Sequence, residues 1–198
     1  MAKLENMRRS IGDRLAPPIA RLLINTPLTP NAVTWIGFFV TAGAAALIAT
    51  RHFFAAGIVV VVAGAFDMLD GALARVKGQV TKFGAVLDST LDRLCEAMLL
   101  LALIYIYARD GQPYWSLVAG FALVCSLMVS YLRARMEGLG IECKAGFFTR
   151  PERVILIALG LLLSYFHYVL LGAVVLLAAF SFYTMIERIV YAWRHLQD

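Results

Sequence analysis

Phe66 to Arg93 reads FDMLDGALARVKGQVTKFGAVLDSTLDR, and the reading of this stretch governs the rest of the chain. It sets Asp67, Asp70, Gly71, Ala74, Arg75, Gly84, Asp88 and Asp92 in the pattern D-x2-D-G-x2-A-R-x8-G-x3-D-x3-D. Apolar runs adjoin it, from Phe53 to about Met68 and from Phe83 to Ala108. Ionisable groups at the edge of hydrocarbon are costly and are retained there for function. Four carboxylates in one short stretch repel each other unless a cation neutralises them, so a divalent-metal site is the first expectation.

Outward from this stretch the chain is apolar. Of its 198 residues 61% are hydrophobic and 16% charged, with mean hydropathy +0.77. That composition points away from a soluble domain and toward a bundle of membrane helices. A spanning helix needs about 17–25 apolar residues to cross roughly 30 Å of hydrocarbon. Six runs meet or approach this: Val33 to Thr50, Phe53 to about Met68, Phe83 to Ala108, Pro113 to about Tyr131, Val154 to about Phe166, and Tyr168 to about Tyr191, with a break expected at His167. The expected fold is an all-α integral membrane protein, one domain over residues 1–198, with a six-helix bundle over 31–192.

Residues 1–25 hold no cleavable signal pattern. Arg8, Arg9, Arg14 and Arg21 alternate with Leu4, Ile11, Leu15, Ile19 and Leu22, which predicts an amphipathic helix lying on the membrane face. Basic residues also cluster at the second connection (Arg75, Lys77, Lys82, Arg93), at the fourth (Arg133, Arg135, Lys144, Arg150, Arg153) and at the C-terminus (Arg188, Arg194), whereas the opposite side keeps Arg51 and Arg109. The positive-inside rule then places both termini and the acidic motif in the cytoplasm, in a cell-membrane protein. The net charge of +5 is read as topology and attraction to anionic lipid, not as nucleic-acid binding. Cys95, Cys125 and Cys143 have no paired spacing and are assigned no function.

On helices, Asp67 and Asp70 share one face, and Asp88 and Asp92 share another. Antiparallel packing across a short connection brings both pairs to one membrane end. Oxygen-only ligands suit Mg²⁺ or Mn²⁺. Four carboxylates suffice to bridge two ions, an arrangement suited to in-line displacement at phosphorus. Gly71 and Gly84 clear room beside the backbone, and Arg75 suits a phosphate. Two other readings stand beside this one. The aspartates are ion-paired within the membrane (Asp67 with Arg75, Asp92 with Arg93 or Arg133), or they form the relay of a small cation transporter.

The eight positions together resemble the signature of the CDP-alcohol phosphotransferase family. The similarity extends to LTPNAVT at Leu28 to Thr34 and FGAVLDSTLDR at Phe83 to Arg93. The resemblance implies six transmembrane helices, a homodimer and cytosolic chemistry with two divalent ions, Mg²⁺ or Mn²⁺. It implies that Asp67, Asp70, Asp88 and Asp92 hold metal, and that Asp92 is also the general base. It further implies that the CDP-lipid lies against Asn31, Ala32, Val33, Thr34, Gly71, Ala74, Arg75 and Thr81.

A second constellation is SYLRARMEGLG at Ser130 to Gly140 with GFFTRPER at Gly146 to Arg153. It is expected to place Arg133, Arg135, Arg150 and Arg153 on the cytosolic side near the aspartates, and clustered guanidiniums match phosphate or carboxylate geometry. The alternatives are topological charge, or structural pairs such as Arg135 with Glu137 or Glu142 and Arg150 with Glu152. These stretches are similar to the phosphatidylinositol phosphate synthase branch of the family, which implies CDP-diacylglycerol as donor and inositol phosphate as acceptor. By that resemblance Arg133, Arg153 and Arg188 grip the acceptor phosphate. Arg133 stands where lysine is usual, and Thr149 where an acidic residue often precedes RPER. Glycerol 3-phosphate is the rival acceptor, although DSTLDR replaces the DPxxDK common among enzymes that use it.

Overall fold

The computed structural model describes residues 27–166 and 168–196. The amphipathic segment expected over residues 1–25, and His167, lie outside them. The described residues form six helices and no strand: α1 (Pro30–Ala49), α2 (Phe53–Val76), α3 (Lys82–Arg109), α4 (Pro113–Gly138), α5 (Arg150–Leu162) and α6 (Val169–His195).

Local chemistry fixes the helix starts nearest the acidic motif. Thr29 caps α1, its hydroxyl accepting from the Ala32 amide, and Pro30 supplies a first turn that needs no amide donor. Thr81 caps α3 through the Gly84 amide at 2.9 Å. Thr149 and Glu152 form a reciprocal capping box on α5, with a proline in its first turn. That box starts α5 at Arg150, a turn earlier than the apolar run from Val154 suggests. Likewise α2 runs on past Met68 to Val76, where the Lys77 amide closes on the Leu73 carbonyl at 2.9 Å.

Each helix packs chiefly on two others, and the contacts close a ring in the order α1, α3, α4, α6, α5, α2. Small residues set the close crossings. A Cβ on Gly57 would stand 2.9 Å from the Leu162 backbone nitrogen, and one on Gly160 would stand 2.7 Å from the Ala173 Cβ. Only glycine lets α2 meet α5, and α5 meet α6, at these distances. The interior is filled by Ile48, Val60, Leu99, Leu103, Leu161 and Leu177 among others.

The outer faces keep large apolar side chains exposed, including Phe39, Phe54, Leu117 and Phe121. Four helices (α1, α2, α4 and α6) are long and apolar enough to cross a membrane. Of the other two, α3 carries Asp88, Asp92, Arg93 and Glu96 within its 28 residues. The 13 residues of α5 reach only about 20 Å at the α-helical rise. The short connections alternate between ends, so the α2–α3 and α4–α5 connections share one end. At the other end, Arg51 pairs with Asp110 and joins the α1–α2 turn to the α3–α4 turn.

Candidate active site

The last turns of α2 carry Asp67 and Asp70, and the first turns of α3 carry Asp88 and Asp92. The connection between them reverses at Gly78, whose φ of +63° a side chain would strain. Lys77 Nζ donates to the Leu28 carbonyl at 2.8 Å and ties this turn to the approach into α1. The start of α1 therefore lies against the acidic end. A Cβ on Gly84 would meet Asn31 Oδ1 at 3.2 Å, and one on Gly37 would meet Asp67 Oδ1 at 3.7 Å. Thr34 stands beside the Asp70 carboxyl.

Arg150 joins the two acidic helices. Its Nη2 donates to Asp67 Oδ2 and its Nη1 to Asp92 Oδ2, both at 2.7 Å. Asp88 lies within electrostatic reach of Asp67 and Arg150. Asp70 is buried; its Oδ1 accepts from the Gly71 amide at 2.5 Å, while its Oδ2 has no partner among the described residues. Beneath Arg150 lies a cavity of about 20 Å³, lined by Thr41, Gly64, Asp67, Cys95 and Glu96 among others. That volume holds about one water.

The ion pairs considered from the sequence are not the ones formed. Asp67 and Asp92 both take Arg150, whereas the Arg93 guanidinium turns to the Ser89 carbonyl and Arg133 pairs with Glu137 at 2.8 Å. Glu142 pairs with Lys144, and Glu152 serves the Thr149 cap. Arg150 was expected near the aspartates or paired with Glu152, not as the bridge between Asp67 and Asp92. Its signal lay in TRPE, a helix start that places an arginine at the first turn beside the acidic end.

The donor set suits a metal. All four side chains offer carboxylate oxygen, the preference of hard divalent cations. The orphaned Asp70 Oδ2 is a buried acceptor that a cation would satisfy. Among the described residues, no three acidic, histidine or cysteine side chains are already drawn into a metal-ready cluster.

Of the residues expected along the CDP-lipid, Asn31, Thr34, Gly71, Ala74, Arg75 and Thr81 lie on α1, α2 and α3 around the aspartates. A Cβ on Gly71 would stand 3.7 Å from Arg75 Nη1, so that guanidinium folds back over the glycine. Val33 is buried, and Ala32 has no polar side chain, so each offers at most its backbone.

The three arginines expected at the acceptor phosphate sit differently from one another. Arg133 is exposed. Arg188 is buried, giving Nε to the Ala145 carbonyl at 3.1 Å and Nη1 to that of Val129. Arg153 is sealed from solvent, with Nε on Glu96 Oε1 at 2.5 Å and Nη2 on Glu96 Oε2 at 2.8 Å. Arg188 lies within electrostatic reach of the other two. Glu96 as the partner of Arg153 is invisible from the motif, since the two are 57 residues apart.

Known proteins with this arrangement are transferases. The family model described as CDP-alcohol phosphatidyltransferase matches residues 27–186. The chain is 36% identical to the archaetidylinositol phosphate synthase of Methanothermobacter thermautotrophicus over 97% of its own length and 95% of that protein's. A crystal structure of Mycobacterium tuberculosis phosphatidylinositol phosphate synthase with CDP-DAG bound superposes with a TM-score of 0.84 at 36% identity, covering 91% of this chain and 94% of that one. A second structure of that enzyme, in complex with manganese and citrate, gives a TM-score of 0.83 at 36% identity and covers 90% and 89%. These matches set aside the cation-transporter reading. The two acidic helices do not pack on each other as the short connection suggested, since α1 lies between them in the ring. Four carboxylates at one end of α2 and α3, the glycines beside them and the matches over most of the chain lead to one conclusion: the chain belongs to the CDP-alcohol phosphatidyltransferase family of enzymes.

Proposed function

We propose that this enzyme transfers the phosphatidyl group of CDP-diacylglycerol to inositol phosphate, releasing CMP and forming phosphatidylinositol phosphate. The observation that carries the reading is the convergence of Asp67, Asp70, Asp88 and Asp92 at one end of α2 and α3, with Asn31, Thr34 and Arg75 at the rim. Asp67, Asp70, Asp88 and Asp92 would hold two divalent ions, Mg²⁺ or Mn²⁺, whose chemistry is to neutralise the diphosphate and the charge developing on CMP. Asp92 takes the proton of the acceptor hydroxyl as its oxygen bonds to the phosphorus that carries the lipid. The bond from that phosphorus to the CMP oxygen breaks, and no covalent enzyme intermediate forms. Asn31 to Thr34, Gly71, Ala74, Arg75 and Thr81 orient the nucleotide end, where only small side chains leave room.

The acceptor assignment rests on two supports. The relatives' products, archaetidylinositol phosphate and phosphatidylinositol phosphate, differ in the lipid and share the inositol phosphate headgroup. Arg133, Arg153 and Arg188 approach the same end of the bundle, and we assign them to the acceptor phosphate. The proposal extends to one domain of six spans, with α3 and α5 completing the crossing. It also includes an amphipathic helix over 1–25, both termini and the site in the cytoplasm of a cell-membrane protein, and a homodimer.

The test is CMP release by purified protein with Mg²⁺, a CDP-diacylglycerol donor or its diether counterpart, and inositol phosphate, glycerol 3-phosphate, free inositol or serine as acceptor. Release with CDP-diacylglycerol and inositol phosphate alone is expected. Release with glycerol 3-phosphate instead would keep the aspartate chemistry and overturn the acceptor, and a preference for the diether would overturn the lipid.

A further inference from the structure

Arg150 holds a position that electrostatics gives to a cation. It is the first residue of α5, and its guanidinium reaches across to bridge Asp67 on α2 and Asp92 on α3, each at 2.7 Å. Those two residues belong to different acidic pairs, so one planar cation ties the pairs together. Its side chain and both partner carboxylates are largely buried, with 22%, 29% and 20% exposure. At that burial, the attraction is little screened. Yet the guanidinium is not locked from all sides, since its buried Nε finds no partner among the described residues, and Arg150 is one of the residues lining a cavity with room for about one water. The segment leading into it turns through Gly140 and Gly146, both at positive φ.

Resting on the metal reading above, we propose that Arg150 is the built-in counter-ion of the metal-free site. It competes with divalent ions for Asp67 and Asp92, holding the carboxylates together when metal is absent and giving them up when metal binds. A divalent ion drawn to the same two Oδ2 atoms would stand against the guanidinium, and like-charge repulsion at that distance favours one cation over the other. Metal binding to this chain is therefore an exchange of cations, and its affinity is lowered by the bridge that must first be broken. Arg150 is a positioning residue in this scheme: it acts through Asp67 and Asp92.

The experiment titrates Mn²⁺ into detergent-purified protein and follows free Mn²⁺ by electron paramagnetic resonance, without substrate or turnover. Arg150→Gln is expected to bind Mn²⁺ about tenfold more tightly than the wild type, because two charge-assisted hydrogen bonds no longer oppose binding. Lys144→Gln, the same loss of one charge at an exposed loop residue, is expected to bind as the wild type does, which separates the bridge from net charge. Unchanged or weaker binding by Arg150→Gln, or an equal gain in Lys144→Gln, would overturn the proposal. A wild type that binds no Mn²⁺ would overturn the metal reading itself, and the proposal with it. The native protein supplies a second measurement should Arg150→Gln not fold. Phenylglyoxal labelling followed by peptide mapping is expected to modify Arg150 several-fold faster with Mn²⁺ than without. Arg109, exposed at the far end of α3, should label equally in both, and equal labelling of Arg150 would overturn the exchange.

Discussion

Arg153 and Glu96 form a two-pronged ion pair across the interior of the helix ring, at 2.5 and 2.8 Å, with both side chains shut away from solvent. They join α5 to α3, helices that do not flank one another in the ring. Removing one partner strands the other charge in an apolar interior. Arg153→Ala is expected to cost about 3–5 kcal/mol and to lower the melting temperature in detergent. The double variant Glu96→Gln/Arg153→Met should regain most of that loss, and a double variant no better than Arg153→Ala would show that the pair is not the source.

Arg133 is the acceptor arginine best suited to a kinetic test, because it is exposed and its partner Glu137 is exposed as well. Arg133→Ala should fold normally and raise the KM for inositol phosphate more than that for CDP-diacylglycerol. Equal rises in both would remove it from the acceptor phosphate.

Asp92 is expected to be needed for turnover beyond its part in holding metal. Asp92→Asn should retain Mn²⁺ and CDP-lipid binding while kcat for CMP release falls by about two to four orders of magnitude. Near-normal turnover would exclude it as the base.

Gly57 tests the ring itself. A methyl group there meets the Leu162 backbone, which cannot swing aside as a side chain can. Gly57→Ala is expected to lose about 1–3 kcal/mol of stability by forcing α2 from α5. Since Asp67 rides on α2 and Arg150 on α5, the variant should also bind Mn²⁺ with altered affinity. An unchanged melting temperature would mean the crossing is looser than drawn.

Chelation separates activity from folding. Because the chain's own Arg150 pairs with Asp67 and Asp92, protein stripped with EDTA should stop releasing CMP yet keep its size-exclusion profile. Added Mg²⁺ or Mn²⁺ should restore turnover. Collapse of the stripped protein would show that the bridge does not hold the site.

What the chain discloses on reading, and what it withholds, follows from how far each signal travels. The helices are written locally, in apolar runs and in starts such as Thr81 before Gly84 and Thr149 before Glu152. The aspartate pairs are local too, since helical spacing alone puts Asp67 with Asp70 and Asp88 with Asp92. The apolar runs misplace the start of α5 because capping, not hydropathy, sets it. The partners of Arg150, and Glu96 itself, were missed for a different reason. Each acquires its role from a helix distant in sequence, and an arginine between two apolar runs looks the same whether it marks topology or grips a carboxylate. Arg133, Arg153 and Arg188, grouped by resemblance, do not share an environment, because burial is decided by the ring and not by the motif.

The order of helices around that ring, α1, α3, α4, α6, α5, α2, differs from their order along the chain. A nascent polypeptide lays down α2 and α3, with all four aspartates, well before α5 exists. Until Arg150 emerges, those carboxylates have no bridge, and α2 has only one of its two flanks. Maturation of the catalytic end is thus a late event of biogenesis, when the second half of the polypeptide docks back onto the first.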